Sequence, residues 1–457
     1  MSASRPEISP LMRELSAHIA GAIKVPLPAE VAIRAKVHLV DTVAAMIAGS
    51  RLVPGKKAIA YIKSLGGKPE AGVMGTRVRT SAANAALANG MLAHADETDD
   101  THPPSRTHPG SCVVPAALAI GERAGLSGRA VLRSVVLGYE ICARMLLAIN
   151  ESFFRHTGHF ASSFGGIFGA AAAAGALLKF DAREVRFVLS YTAQLAAGLQ
   201  NVLRDIEHIQ KAFAGGGLAA HNGTVAALMV AHGFTGVEDV FSGERDFFFT
   251  FAPEADRSQL TRGLGRNYEI MRCGIKRWPA GGPIQGPLQV LSELMKQHNL
   301  KAHDVETLVV QMPENEHATV NNRNMPDICV QHLIAVMLLD GVITFKSAHD
   351  CVRMRDPRVL ALRKRVKAVG DPKLTDVLRR WRCVMEITLR NGRKITHQTM
   401  AAKGSSEDPL TPAEEEEKAL DLIAPVLGSR RAKTLLTALW DFERIKNVQS
   451  LRNLVSL

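Results

Sequence analysis

The residues best placed to do chemistry lie in one stretch, His94 to Glu122, with the sequence HADETDDTHPPSRTHPGSCVVPAALAIGE. Asp96, Glu97, Asp99 and Asp100 are too many carboxylates to bury without partners, and His94, His102 and His108 lie among them. A histidine titrates near neutral pH and can take or give a proton, while a neighbouring carboxylate can orient it. Taken alone, the same residue types would also suit a metal ion. Pro103, Pro104 and Pro109 prevent a continuous solvated helix. The stretch is therefore expected to be a rigid functional loop running into an alanine-rich helix.

Such a loop needs a scaffold, and the chain has the means to build one. Its 457 residues are 46% hydrophobic and 5% aromatic, long and apolar enough for two or three domains with real cores. From about residue 8 to about 270, apolar residues recur at helical spacing. Ile33, Val37, Val40, Ala44 and Ile47 form one such stripe, with Gly49 placed to end it. The same period predicts helices over Ala82–His94, Cys112–Ala124, Gly128–Ile149, Gly165–Leu178 and Leu218–His232. Small residues, as in Gly169 to Ala176, let such helices approach closely, which predicts a tightly packed all-α domain.

Beyond Met271 the pattern changes. Val305–Met312 and Cys383–Leu389 are β-branched and alternating, and Asn391-Gly392 after the second predicts a type I′ hairpin. A helical run, Val330–Leu339, lies between them, and His332 within it reads as a packing residue. From Thr411 the chain is helical again, with a Thr411 cap, Pro412 at the first position and an acidic first turn. The expected fold is mainly α: a large all-helical domain formed by both chain ends, residues 1–270 and 405–457, with a smaller α+β domain, residues 271–404, inserted.

Charge and cysteine content narrow the partners. Cys112, Cys142, Cys273, Cys329, Cys351 and Cys383 form no CxxC pair and suit reduced, buried thiols. The net charge of +12 is concentrated between Lys346 and Lys394, where fifteen Lys/Arg face five Asp/Glu. No aromatic residues alternate with them as a base-stacking platform requires, so a solvated helix face is expected and no nucleic-acid partner. The N-terminus lacks an apolar secretory segment, and no stretch reaches the roughly 18 charge-free apolar residues of a membrane span. A cytoplasmic protein without a membrane partner is expected.

Six segments, in order, resemble the MmgE/PrpD family, which includes 2-methylcitrate dehydratase, cis-aconitate decarboxylase and iminodisuccinate epimerase. They are HADETDDTHPPSRTHPG from His94, GHFASSFGGIFGAAAAAG from Gly158, QKAFAGGGLAAHNGTVAALMVAHGFTG from Gln210, IKRWPAGGPIQ from Ile275, NNRNMPDICVQHLIAVMLLDG from Asn321 and GSSEDPLTPAEEEEK from Gly404. The resemblance implies a homodimer in which the α+β domain serves as a lid. It also implies a small anionic organic acid, a di- or tricarboxylate, as substrate, with no metal and no organic cofactor.

Carried over by position, the resemblance marks His108, His159, Asp99 and Thr101 as catalytic and Lys276, Arg277, Lys211, Glu97 and Asp100 as substrate-binding. Removing a proton next to a carboxylate builds enolate-like charge, which Lys276, Arg277 and Lys211 could stabilise, with His108 and His159 as the acid/base pair. Asp99 and Asp100 could instead fix the loop through bonds to backbone N–H groups. The chain departs from the family pattern in five places, one of them a loop one residue longer, at Arg106, before His108. Glu97 stands where an aspartate is common, and Gly215 replaces the usual histidine. Gly281 and Val320 lie where the decarboxylase branch carries histidine and tyrosine. The expected activity is a cofactor-independent hydro-lyase acting on a 2-methylcitrate-like hydroxy acid; an epimerase, isomerase or decarboxylase, or a non-catalytic acid-binding protein, are the alternatives.

Overall fold

The computed structural model describes residues 7–376 and 380–457, so Arg379 of the basic run lies outside the described residues. The fold is mainly α with a small sheet in the C-terminal part. The chain divides into two compact units. The first runs to Ala95 and resumes over Asp99–Cys273 and Leu422–Leu457; the second comprises Asp96–Thr98 and Gly274–Asp421.

In the first unit, the helices Ala29–Gly49, Ala82–Ala93, Pro109–Ala124, Gly128–Ile149, Ala161–Leu177 and Leu218–Ala231 supply most of the core. Local sequence sets their ends. Ser81 and Ser127 accept backbone N–H bonds as N-caps, and Pro109 occupies the first turn of its helix, where no donor is lost. Glycines let backbones meet: a Cβ on Gly169 would lie 2.5 Å from the Gly138 carbonyl oxygen, so no larger residue fits that crossing.

Two expectations for this unit are corrected. Val37, Val40, Ala44 and Ile47 of the expected stripe are buried, but Ile33 is 51% exposed, and Val31 and Ala35 take the buried face in the first turns of that helix. Helix also gives way after Ala231 to short turns, with only Phe247–Phe251 as α-helix before Cys273.

The second unit carries a four-stranded sheet in the order Val366–Asp371, Val305–Pro313, Cys383–Leu389, Lys394–Thr399, the first pair parallel and the others antiparallel. Alternation puts Leu308, Val310 and Met312 together with Cys383, Met385 and Ile387 in the core, against the helices Gln285–His298 and Val330–Asp340. The hairpin is not type I′. Gly392 has φ +82° but Asn391 is not left-handed, and Leu389 N–H donates to the Arg393 carbonyl. That is a three-residue loop, a type I turn closed by a left-handed glycine.

The basic run is not one helix face either; among the described residues Phe345–Ala348 and Pro357–Arg363 are α-helical, while Val366–Asp371 and Cys383–Leu389 are strands. Five cysteines are buried, but Cys351 is exposed. Among the described residues no helix is long and apolar enough to cross a membrane.

Candidate active site

His94 is the C-cap of Ala82–Ala93, where the chain leaves helical geometry and enters the acidic loop. Its fully buried imidazole places Nδ1 2.8 Å from Asp99 Oδ2. The other oxygen of that carboxylate, Oδ1, lies 3.4 Å from His108 Nδ1. One buried carboxylate therefore sits between two imidazoles whose centroids are 4.9 Å apart.

The tautomer of His108 follows from a second contact. Its Nδ1 lies 2.7 Å from the Asp100 carbonyl oxygen, which can only accept, so Nδ1 carries the hydrogen. In the neutral ring the lone pair is then on Nε2, and the side chain remains 19% exposed. His108 precedes Pro109, whose helix starts directly after it, so the backbone on both sides is fixed. A partly exposed imidazole with one nitrogen tied down and the other basic is suited to general-base chemistry.

The surroundings keep His94 neutral. Burial lowers its pKa, Asp99 opposes that, and the nearby His108 and Lys211 charges lower it further. Its ring packs 5.6 Å from the His208 ring and against Gly215, where an added Cβ would fall 2.2 Å from His94 Cδ2. Gly215 belongs to a π-helical turn, Phe213–Gly217, of the kind found frequently at functional sites. A histidine at position 215 cannot coexist with this placement of His94, which gives the departure from the family pattern a steric reason.

Not every residue marked from sequence joins this cluster. Asp100, expected to bind substrate, is fully buried, and its Oδ1 accepts from Gly110 N–H at 3.0 Å; it anchors the start of the Pro109–Ala124 helix. Thr101, also buried, donates through Oγ1 to the Thr107 carbonyl and closes the loop. His159 bonds through Nδ1 to Thr157 Oγ1 and stacks on Phe153 at 5.0 Å, with Phe164 and Phe251 beside it. Burial lowers its pKa. Arg277 is exposed and lies over the Trp278 ring at 5.1 Å.

The second unit holds its own charged cluster, built around Asp96–Thr98. Each residue of that tripeptide meets one basic side chain. Asp96 is 2.8 Å from His349 Nε2, Glu97 is 3.7 Å from Lys276 Nζ, and the Thr98 carbonyl accepts from Lys418 at 3.2 Å. Lys276 is only 1% exposed. Burial, reinforced by the Glu97 and Asp96 charges against His349, pushes Asp327 up to about 6.

His349 also donates from Nδ1 to the Phe345 carbonyl at 2.7 Å, which leaves Nε2 facing the Asp96 carboxylate. Burial opposes a charge on this ring, but the Asp96 carboxylate with help from Asp327 lifts His349 to about 9. The folded value lies above the unfolded 6.5, so the stabilisation is complete below pH 6.5 and lost as pH rises through 9. Between those pH values the urea midpoint is expected to fall by an amount equivalent to on the order of 3 kcal/mol. His349→Gln should flatten this window, and an unchanged pH slope in that variant would remove the assignment.

Among the described residues, two groups bring metal-ligating atoms within 4.8 Å of one another: His94, Asp99 and His108, and His38, Asp100 and Cys273. In the first, both histidines already spend Nδ1 on loop oxygens. Sequence reasoning passed over His94, His208, Asp96, Asp327 and His349 as site residues. For His94 the signal was present, since it opens the acidic loop; for His349 and Asp327 nothing in their local sequence announced a carboxylate partner far along the chain.

With this geometry in place, comparison with known proteins is informative. The sequence matches the MmgE/PrpD N-terminal domain over residues 13–259 and the MmgE/PrpD C-terminal domain over residues 278–443. It is 24% identical to the cis-aconitate decarboxylase of Homo sapiens over 442 residues, covering 92% of this chain and 89% of that protein. It is 25% identical to the cis-aconitate decarboxylase-like protein oryM of Aspergillus oryzae over 309 residues, 63% of each chain. Against the cis-aconitate decarboxylase of Aspergillus terreus it is 24% identical over 289 residues, 60% of this chain and 57% of the other. The chain belongs to the MmgE/PrpD family.

Proposed function

We propose that the protein is a lyase acting on a small di- or tricarboxylate, and that its reaction is the elimination of water from a 2-methylcitrate-like hydroxy acid. The observation that carries this reading is the fixed tautomer of His108, which leaves Nε2 as a basic nitrogen beside a buried carboxylate. In the proposed step Nε2 takes the proton from the carbon next to a carboxylate. The electron pair forms the C=C bond as the C–O bond breaks, and the departing hydroxide takes the proton back from the imidazolium and leaves as water. One histidine then balances the reaction, and no metal or organic cofactor is needed. His159 is the candidate for a separate acid, with burial lowering its pKa. Lys211 and Arg277 are the candidate cations for the substrate's carboxylates.

Decarboxylation is the second reading, favoured by what the relatives are named. Against it stand Gly281 and Val320. A Cβ at 281 would lie 3.8 Å from Val320 Cγ1, so the two positions are neighbours and neither carries a polar group. Incubation with citrate, 2-methylcitrate and cis-aconitate in deuterated water separates the readings. Loss of hydroxyl with a new unsaturated acid is the expected result. Loss of CO2 from cis-aconitate would replace it with the second reading, and deuterium uptake without elimination would point to an epimerase. Binding with no turnover of any acid would make the protein a carrier. A homodimer in the cytoplasm belongs to the same proposal and is checked by light scattering and cell fractionation.

A further inference from the structure

Asp100 has a second oxygen, and what it binds lies outside the cluster just described. Oδ2 accepts from the Tyr139 hydroxyl at 2.8 Å and from His38 Nδ1 at 2.7 Å. His38 lies on Ala29–Gly49, Tyr139 on Gly128–Ile149, and Gly110, which donates to Oδ1, in the first turn of Pro109–Ala124. Three helices thus converge on one carboxylate, and Asp100, His38 and Tyr139 are all fully buried. The fit is tight: a Cβ on Gly110 would come within 2.8 Å of both Asp100 Oδ1 and the Tyr139 hydroxyl, and 2.6 Å from Thr42 Oγ1.

The side chain held this way belongs to the residue whose own carbonyl takes the His108 Nδ1 hydrogen. A carboxylate gripped by three donors leaves its residue little freedom to rotate. We infer that Tyr139 and His38 are positioning residues that, by fixing Asp100, aim its carbonyl at His108 and so hold His108 in the Nδ1–H tautomer with Nε2 available for proton abstraction. This rests on the reading of His108 as the base. Burial and the Asp100 charge push the Tyr139 phenol well above its ordinary value, so it stays a donor across the working pH range.

The test reads the tautomer directly, by nitrogen-15 NMR of the full-length protein labelled at histidine, with His108 assigned from the signals missing in His108→Asn. Wild type should show a hydrogen on Nδ1. Tyr139→Phe and His38→Leu should each show a mixture of tautomers and about a tenfold lower kcat in folded protein, with a lower urea midpoint because each strips a donor from a buried carboxylate. His38→Asn puts an amide N–H where Nδ1 was, and His38 Nε2 has no partner to lose, so this variant should restore both readouts. If the leucine variant fails to fold, the contrast between Tyr139→Phe and His38→Asn still decides. A folded Tyr139→Phe with a single Nδ1–H tautomer and wild-type turnover would overturn the inference. Absence of turnover in wild type with every acid would instead sink the proposed function, leaving the tautomer comparison to judge the positioning alone.

Discussion

His108→Asn is expected to fold normally and to lose turnover by about 10²–10⁴-fold, the usual contribution of a positioned general base. The substitution is chosen for its geometry. The asparagine amide can donate to the Asp100 carbonyl as Nδ1 does at 2.7 Å, so the loop keeps its closing bond while Nε2 disappears. The loss should fall on kcat with KM changed little, because the step removed is made only in the transition state. Steady-state rates beside a urea titration measure both effects. A His108→Asn protein within a few-fold of wild type would remove His108 from the chemistry. His159→Ala is the companion measurement: a loss as large would require a two-histidine mechanism, whereas a small loss agrees with a single imidazole that both takes and returns the proton.

Lys276→Met should destabilise the protein by about 3–5 kcal/mol, the cost of stripping one partner from a buried ion pair. Lys276 is 1% exposed and Glu97 7% exposed, and removing the ammonium leaves the Glu97 carboxylate among Asp96 and Asp327. The double variant Lys276→Met/Glu97→Gln should regain part of the loss, since the amide carries no charge to strand. Urea midpoints of the two variants against wild type measure this. A Lys276→Met protein as stable as wild type would show that the pair at 3.7 Å contributes little.

Both results bear on what could be read without coordinates. The small-residue helices, the alternating strands and the Thr411 cap were legible because each depends on residues within a few positions of one another. Thr411 and Glu414 do bond reciprocally at the start of Pro412–Leu427. The exposure of Ile33 was not legible, since which residues pack at the open end of a helix depends on neighbours distant in sequence, although Val37, Val40, Ala44 and Ile47 are buried as expected. The hairpin turn failed because Asn-Gly signals a tight turn, whereas its length depends on where the strand pairing stops, here Thr388 with Lys394.

The site divides along the same line. His108, Asp99 and Lys211 could be marked from local motifs and resemblance, and His108 and Asp99 do meet. The different fates of Asp99 and Asp100 could not be read, because adjacent carboxylates in one loop look alike until their partners are known. His38, Tyr139, His349 and Asp327 were hidden for the same reason, each defined by a partner distant in sequence.

Asp96–Thr98 give the architecture a practical consequence. These three residues belong to the second unit, yet they are encoded far upstream of Gly274, where the rest of it begins. A gene fragment spanning Gly274–Asp421 would omit the acceptors that His349, Lys276 and Lys418 have in the intact chain. The segment is therefore a poor cassette for transplantation or separate expression, and recombination that exchanged it between relatives would have to carry the acidic loop along.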